Sequence, residues 1–172
     1  MKKIVCLFIG VFTCVQLFAQ GVGFKSISLK EALEQAKTQG KMVFVDCYTT
    51  WCGPCKMMTE QVFPQKEAGD FFNTHFVNVK FDMEKGEGKE LSTRFKIRAY
   101  PTFLLLEPDG TERYRIVGGG ELEEFIGRVS RGLQEKNSLP VLDKEYTTGK
   151  MSKRRMLDLV MTLQDAYDAD RL

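Results

Sequence analysis

The chain has 172 residues, 43% of them hydrophobic, with 25 basic and 23 acidic side chains and a net charge of +2. That near-balance gives no sign of a nucleic-acid partner, and none is expected; without Lys2 and Lys3 it becomes 23 against 23. About 150 residues beyond the N-terminal apolar stretch suffice for one domain with its own core.

Lys2 and Lys3 open a basic start, and an apolar run from Ile4 to Val15 follows. The run is short of the roughly 20 residues a spanning helix needs, and the small Ala19 comes soon after. Residues 1–20 are therefore expected to be a secretory signal peptide, and the mature protein to be periplasmic or secreted. An uncleaved anchor helix and a lipid anchor on Cys14 are the alternatives. Next, Ser28 to Glu31 spell a capping box; Ala32, Leu33 and Ala36 follow at helical spacing, and Gly40 closes the segment. Residues 42–48, MVFVDCY, read as a buried strand. A helical pattern runs from Cys55 to Val62 until Pro64, and a second short helix is expected over 66–75. Residues 76–82, FVNVKFD, alternate as a strand, and a charged stretch leads into a short helix ending near Phe95. Residues 102–106 and 112–117 flank Pro108-Asp109-Gly110 and read as a hairpin. Residues 121–136 form a helix with Leu122, Phe125, Ile126 and Val129 on one face. The pattern calls for a parallel βαβ unit followed by an antiparallel hairpin in one sheet. Residues 137–149 read as a linker. A last helix from Ser152 is expected to bury Met156, Val160, Leu163 and Tyr167, and its deletion (150–172) to leave the chemistry of the chain intact.

The chemistry is concentrated in residues 49–58, TTWCGPCKMM. Two cysteines at i and i+3 on a helix N-terminus face one side, so a disulfide closes between them with little backbone change. The helix start offers unpaired N–H groups and a positive dipole end, which favour a thiolate at Cys52. Cys52 is then the nucleophile and Cys55 the resolving thiol. Lys56 stands where a c-type haem site needs His. A zinc site would have to gather Cys47, Cys52, Cys55 and His75, with no second CxxC or paired His to support it. A purely structural disulfide would constrain the unfolded chain only modestly, because the loop is so short. Cys6 and Cys14 would leave with the leader, so the mature chain has three cysteines, one working pair and a spare.

WCGPCK, residues 51–56, resembles the active-site signature of the thioredoxin family, and within it the exported bacterial thioredoxin-like domains. Asp46 lies six residues before Cys52, where thioredoxins carry a buried aspartate. Lys80 matches the lysine near that aspartate. Residues 98–102, RAYPT, match the segment with the family's cis-proline, and Val117-Gly118 matches the Val-Gly after the hairpin. The resemblance covers roughly residues 24–136. It implies a thioredoxin fold of the α/β class, a central mixed sheet flanked by helices, here with a C-terminal helical extension. In domain terms that is a leader (1–20), a thioredoxin-like domain (21–137), and a linker with a C-terminal helix (138–172).

The resemblance also implies the roles. Asp46 accepts the proton of Cys55, with Lys80 as its partner or as a solvated strand residue. Trp51, Gly53, Pro54, Tyr100, Pro101 and Gly118 form the substrate-binding surface. A cis peptide before Pro101 exposes the Tyr100 backbone to an extended client. Tyr100 is bulkier than the isoleucine of typical thioredoxins. Cys47 points to the opposite face of its strand and is expected to be inert, and His75 to be a surface or capping residue. The expected activity is thiol–disulfide exchange, in the reducing direction, on disulfide-containing client proteins. It requires no cofactor beyond the Cys52–Cys55 disulfide and no metal, and it needs a redox partner that resets the pair, such as a membrane electron donor. An oxidase or isomerase, or a non-catalytic binding or chaperone module, is the alternative.

Overall fold

The computed structural model describes residues 21–167. The expected signal peptide lies outside the described residues. Among these, no helix is long and apolar enough to cross a membrane.

Five strands form one mixed sheet in the order β1-β3-β2-β4-β5. They are β1 (Phe24–Lys25), β2 (Met42–Tyr48), β3 (Phe76–Asp82), β4 (Thr102–Leu106) and β5 (Glu112–Val117). β1 and β2 both run parallel to β3, while β4 is antiparallel to both β2 and β5. The two-residue β1 escaped the sequence reading, since so short a piece has no periodicity to detect. β2 through β5 occupy the expected residues because their runs are almost wholly apolar or alternate cleanly, and Gly or Pro punctuates them.

Side-chain alternation along β2 splits the core into two layers. Val43, Val45 and Cys47 face one side, packed with Leu29, Ala32 and Ala36 of α1 (Leu29–Gln39) and Leu91 of α4 (Glu87–Arg94). Phe44 faces the other. There it joins Phe72 of α3 (Lys66–His75), Phe103, and Phe125 and Val129 of α5 (Leu122–Leu133). Phe44 stacks on Phe103 at 5.5 Å between ring centroids, and Phe103 meets Phe125 edge-on at 4.7 Å. α1 begins on the capping box, with the Ser28 Oγ accepting from the Glu31 N–H and the Glu31 carboxylate accepting from the Ser28 N–H. Gly40 ends it in the left-handed conformation at φ +63°. The CxxC segment opens α2 (Gly53–Met57), which passes into a π-helical turn over Met58–Val62 before Pro64.

Two C-terminal expectations need correction. Residues 137–149 are not a linker: after a 3-10 turn at Glu135–Asn137, helix α6 covers Leu139–Thr147. Pro140 stands in its first turn, where a missing N–H costs nothing. Leu142 is fully buried against Leu159 and Leu163 of α7 (Lys153–Asp165), so α6 is held by a partner rather than by its own pattern. The apolar stripe of α7 also differs in part: Leu163 is buried and Val160 half-buried as expected, but the outer two residues of the stripe are not. Leu159, Thr162, Leu163 and Asp165 are buried, whereas Met156 is exposed and Tyr167 is 75% exposed. Burial of Asp165 among cations, described below, sets that rotation.

Candidate active site

β2 delivers the site. Its last residues carry the chain to Thr49 and Thr50, and α2 starts immediately at the sheet's C-terminal edge. Cys52 is the N-cap of α2: its sulfur accepts the Cys55 N–H at 3.1 Å, and Pro54 occupies the first turn. Cys52 and Cys55 are joined in a disulfide and are 3% and 4% exposed. This is the arrangement of a redox pair, with a sulfur placed on the free N–H groups of a helix start, where negative charge on it is stabilised.

Asp46 lies on β2 in register with Lys80 of β3 and Phe103 of β4. Alternation turns it to the Phe44 face, the layer that Met58 covers just after the cysteines. Asp46 is buried, and its Oδ1 has no hydrogen-bond partner. Burial pushes its carboxyl up to about 7, against a smaller downward pull from the Lys80 ammonium. Lys80 is exposed and makes no ion pair with Asp46 at contact distance. Its Nζ lies over the rings of Phe24 and Tyr48 at 5.6 and 5.9 Å. A pocket of about 160 Å³ opens between Lys80 and Cys55, with Thr59 and Glu60 on its wall.

Trp51 is 65% exposed beside the disulfide. Its Nε1 donates to the Glu84 carboxylate at 3.0 Å, and its ring meets the Tyr100 ring edge-on at 5.9 Å. Tyr100 precedes Pro101 through a cis peptide bond. Thr102 pairs with Val117, and the Gly118 N–H donates to the Pro101 carbonyl at 2.8 Å. Gly118 has φ +82°, which by itself favours glycine, and a Cβ there would meet open space. Gly119 is a glycine for a different reason: a Cβ would come within 2.8 Å of the Met58 sulfur. Gly53 sits exposed in the first turn of α2. Trp51, Cys52, Tyr100, Pro101 and Gly118 thus share one edge of the molecule, with Asp46 and Lys80 beneath.

Cys47 is buried in the opposite layer, and burial together with the neighbouring Asp46 charge pushes its thiol far up. His75 ends α3 against Phe71 and Phe76. Neither joins Cys52 and Cys55, and among the described residues no group of three or more His, Cys, Asp or Glu side chains could hold a metal ion. Glu84, which holds Trp51, had no signal in the sequence: it is one of several acids in a charged loop, and only the fold brings it to the indole.

Residues 29–131 match the thioredoxin-like domain family. The chain belongs to that family. The thioredoxin-like domain is 35% identical over 89 residues to a thioredoxin of Alternaria alternata, a match covering 52% of this chain and 70% of that protein. It is 33% identical over 103 residues to the thiol:disulfide interchange protein DsbD of Pseudomonas fluorescens. That match covers 58% of this chain but only 18% of DsbD. Among solved structures, a candidate disulphide-isomerase from Bacteroides thetaiotaomicron superposes with a TM-score of 0.61 at 45% identity. The overlap takes in 67% of this chain and 95% of that one. With its own cysteines paired at the start of α2, this thioredoxin-like domain is a thiol–disulfide oxidoreductase.

Proposed function

We propose that the protein is an exported bacterial oxidoreductase that reduces disulfides in client proteins. The observation that carries the reading is the Cys52–Cys55 disulfide at the start of α2 with the buried Asp46 behind it. In the dithiol form, the Cys52 thiolate attacks one sulfur of a client disulfide. A Cys52–client mixed disulfide forms and the client's other sulfur leaves as a thiolate. Asp46 takes the proton of Cys55. The Cys55 thiolate then attacks the Cys52 sulfur, releasing the second client thiolate and leaving the Cys52–Cys55 disulfide. Two electrons have moved to the client, and a dithiol partner, such as a membrane electron donor, must return two to the pair. The client chain lies along Tyr100, Pro101 and Gly118, against Trp51, with Gly53 and Pro54 exposed between the two cysteines. The reducing direction is favoured by Gly53-Pro54 between the cysteines and by an internal proton acceptor. Export is favoured by the basic-then-apolar start of residues 1–20.

A Cys55→Ser variant tests the mechanism. Mixed with a disulfide-bonded client, it should accumulate a covalent adduct on Cys52 that dithiothreitol releases, and Cys52→Ser should accumulate none. An adduct that forms equally without Cys52 would overturn the assignment. The opposite direction, oxidation or isomerisation, has one specific support in the similarity to the candidate disulphide-isomerase. Equilibration with graded dithiol buffers separates the two. A potential near about −270 mV fits a reductase, and one near about −120 mV fits an oxidant.

A further inference from the structure

α7 ends on a carboxylate that reaches the client-binding edge through one arginine. Asp165 is 5% exposed and accepts from the Tyr114 hydroxyl at 2.7 Å. It also accepts from Arg131 Nη2 and from Arg128 Nε, both at 2.8 Å. Arg128 uses its remaining nitrogens elsewhere: Nη2 donates to the Val117 carbonyl at 2.8 Å and Nη1 to the Gly118 carbonyl at 3.4 Å. Gly118 in turn donates to Pro101. Arg131 donates to the same Asp165 carboxylate, with the Tyr114 hydroxyl beside it, and to neither the Val117 nor the Gly118 carbonyl. Just beyond Asp165, Ala166 and Tyr167 border the same cleft as Ala99, Thr102 and Val117.

We propose that Asp165 is a positioning residue for client binding: it fixes the Arg128 fork, and Arg128 fixes the Val117–Gly118 backbone against which the client chain lies. The inference rests on the reading of Tyr100, Pro101 and Gly118 as the client-binding edge. A guanidinium holds a carboxylate and two carbonyls at once because its donors form a rigid planar fork, which a lysine cannot imitate. Glycine at 118 leaves that backbone loose unless something outside the strand pins it, and pinning lowers the ordering cost on binding. The C-terminal extension is then part of the recognition apparatus, and its loss would weaken client binding while leaving the chemistry of the cysteine pair intact.

The test compares Arg128→Lys with Arg131→Lys, one turn apart on α5, using the full chain and two substrates: insulin as a protein disulfide and dithionitrobenzoate as a small one. Both variants weaken the hold on Asp165, but only Arg128→Lys frees the Val117 and Gly118 carbonyls. The expected result is a KM for insulin raised roughly tenfold in Arg128→Lys, the change that loss of one charged hydrogen bond produces. Its kcat, its reduction potential and its rate with the small disulfide should stay within twofold of wild type. Arg131→Lys should keep the wild-type KM at a comparably lowered melting temperature. Asp165→Asn should follow Arg128→Lys; if it fails to fold, the lysine pair still decides. Equal KM values in the two lysine variants, or a rise that tracks melting temperature in both, overturn the inference. A wild-type protein inert toward both substrates overturns the proposed function itself, and the inference with it.

Discussion

Asp46 and Cys47 are neighbours on one strand, and burial pushes both their acids up, but only one of them ends in a place where the shift is useful. Cys47 faces aliphatic side chains, and its raised thiol is merely quiet. Asp46 faces the layer of α2, and a carboxyl near 7 changes state close to neutral pH, which suits the proton acceptor proposed for Cys55. The same shift weakens the fold. The folded protein holds a proton on Asp46 up to about 7, whereas the unfolded chain releases it near 3.8. Between those values the native state binds more protons, so stability falls as pH rises and the loss is complete above pH 7. Asp46→Asn removes the titration. It should match wild type below about pH 4 and be more stable by about 4 kcal/mol at pH 8, with resolution of the mixed disulfide at least tenfold slower. Urea unfolding across pH checks the first, and quenched-flow decay of the adduct the second. A stability difference that is flat with pH would remove Asp46 from the account. The sequence placed Asp46, Cys52, Cys55 and Pro101 because each sits at a fixed distance from a recognisable pattern. Asp165 was invisible because its partners lie 34 to 51 residues away, and Arg128 because it ties that carboxylate to carbonyls 10 and 11 residues back across a turn, with no periodicity to link them.

At the scale of elements, the strands and most helices follow from local rules. Ser28 and Glu31 fix where α1 starts, and Gly40 where it stops. α6 and the rotation of α7 do not follow, because each depends on the other. Their shared core is small, with Leu142, Leu159 and Leu163 buried and Leu139 and Met151 packed on its edge. A cluster this slight collapses readily around a deletion, so Leu142→Ala should cost about 2 kcal/mol, the low end for a buried leucine. The loss should also be local. Amide exchange in α6 and α7 should quicken while amides of β2 keep wild-type protection. Equal acceleration in β2 would mean that the C-terminal pair and the sheet open as one.

The whole molecule is a sheet with a working edge, two filled faces and a helical pair clasped to one end. The clasp is ionic and buried, which makes it specific in geometry rather than generous in energy. The faces are the reverse, apolar and tightly filled, and they hold one further consequence. In the oxidised protein Cys47 is the free thiol among the described residues, and it lies at the centre of the sheet with no exposed surface. An alkylating reagent can reach it only after β2 leaves its neighbours, so the protein carries its own clock for global opening. Protein lacking residues 1–20, kept oxidised and exposed to iodoacetamide, should gain a single adduct at the rate at which β2 amides exchange. Capture within seconds in native buffer would mean that the sheet breathes on a far shorter timescale than its packing implies.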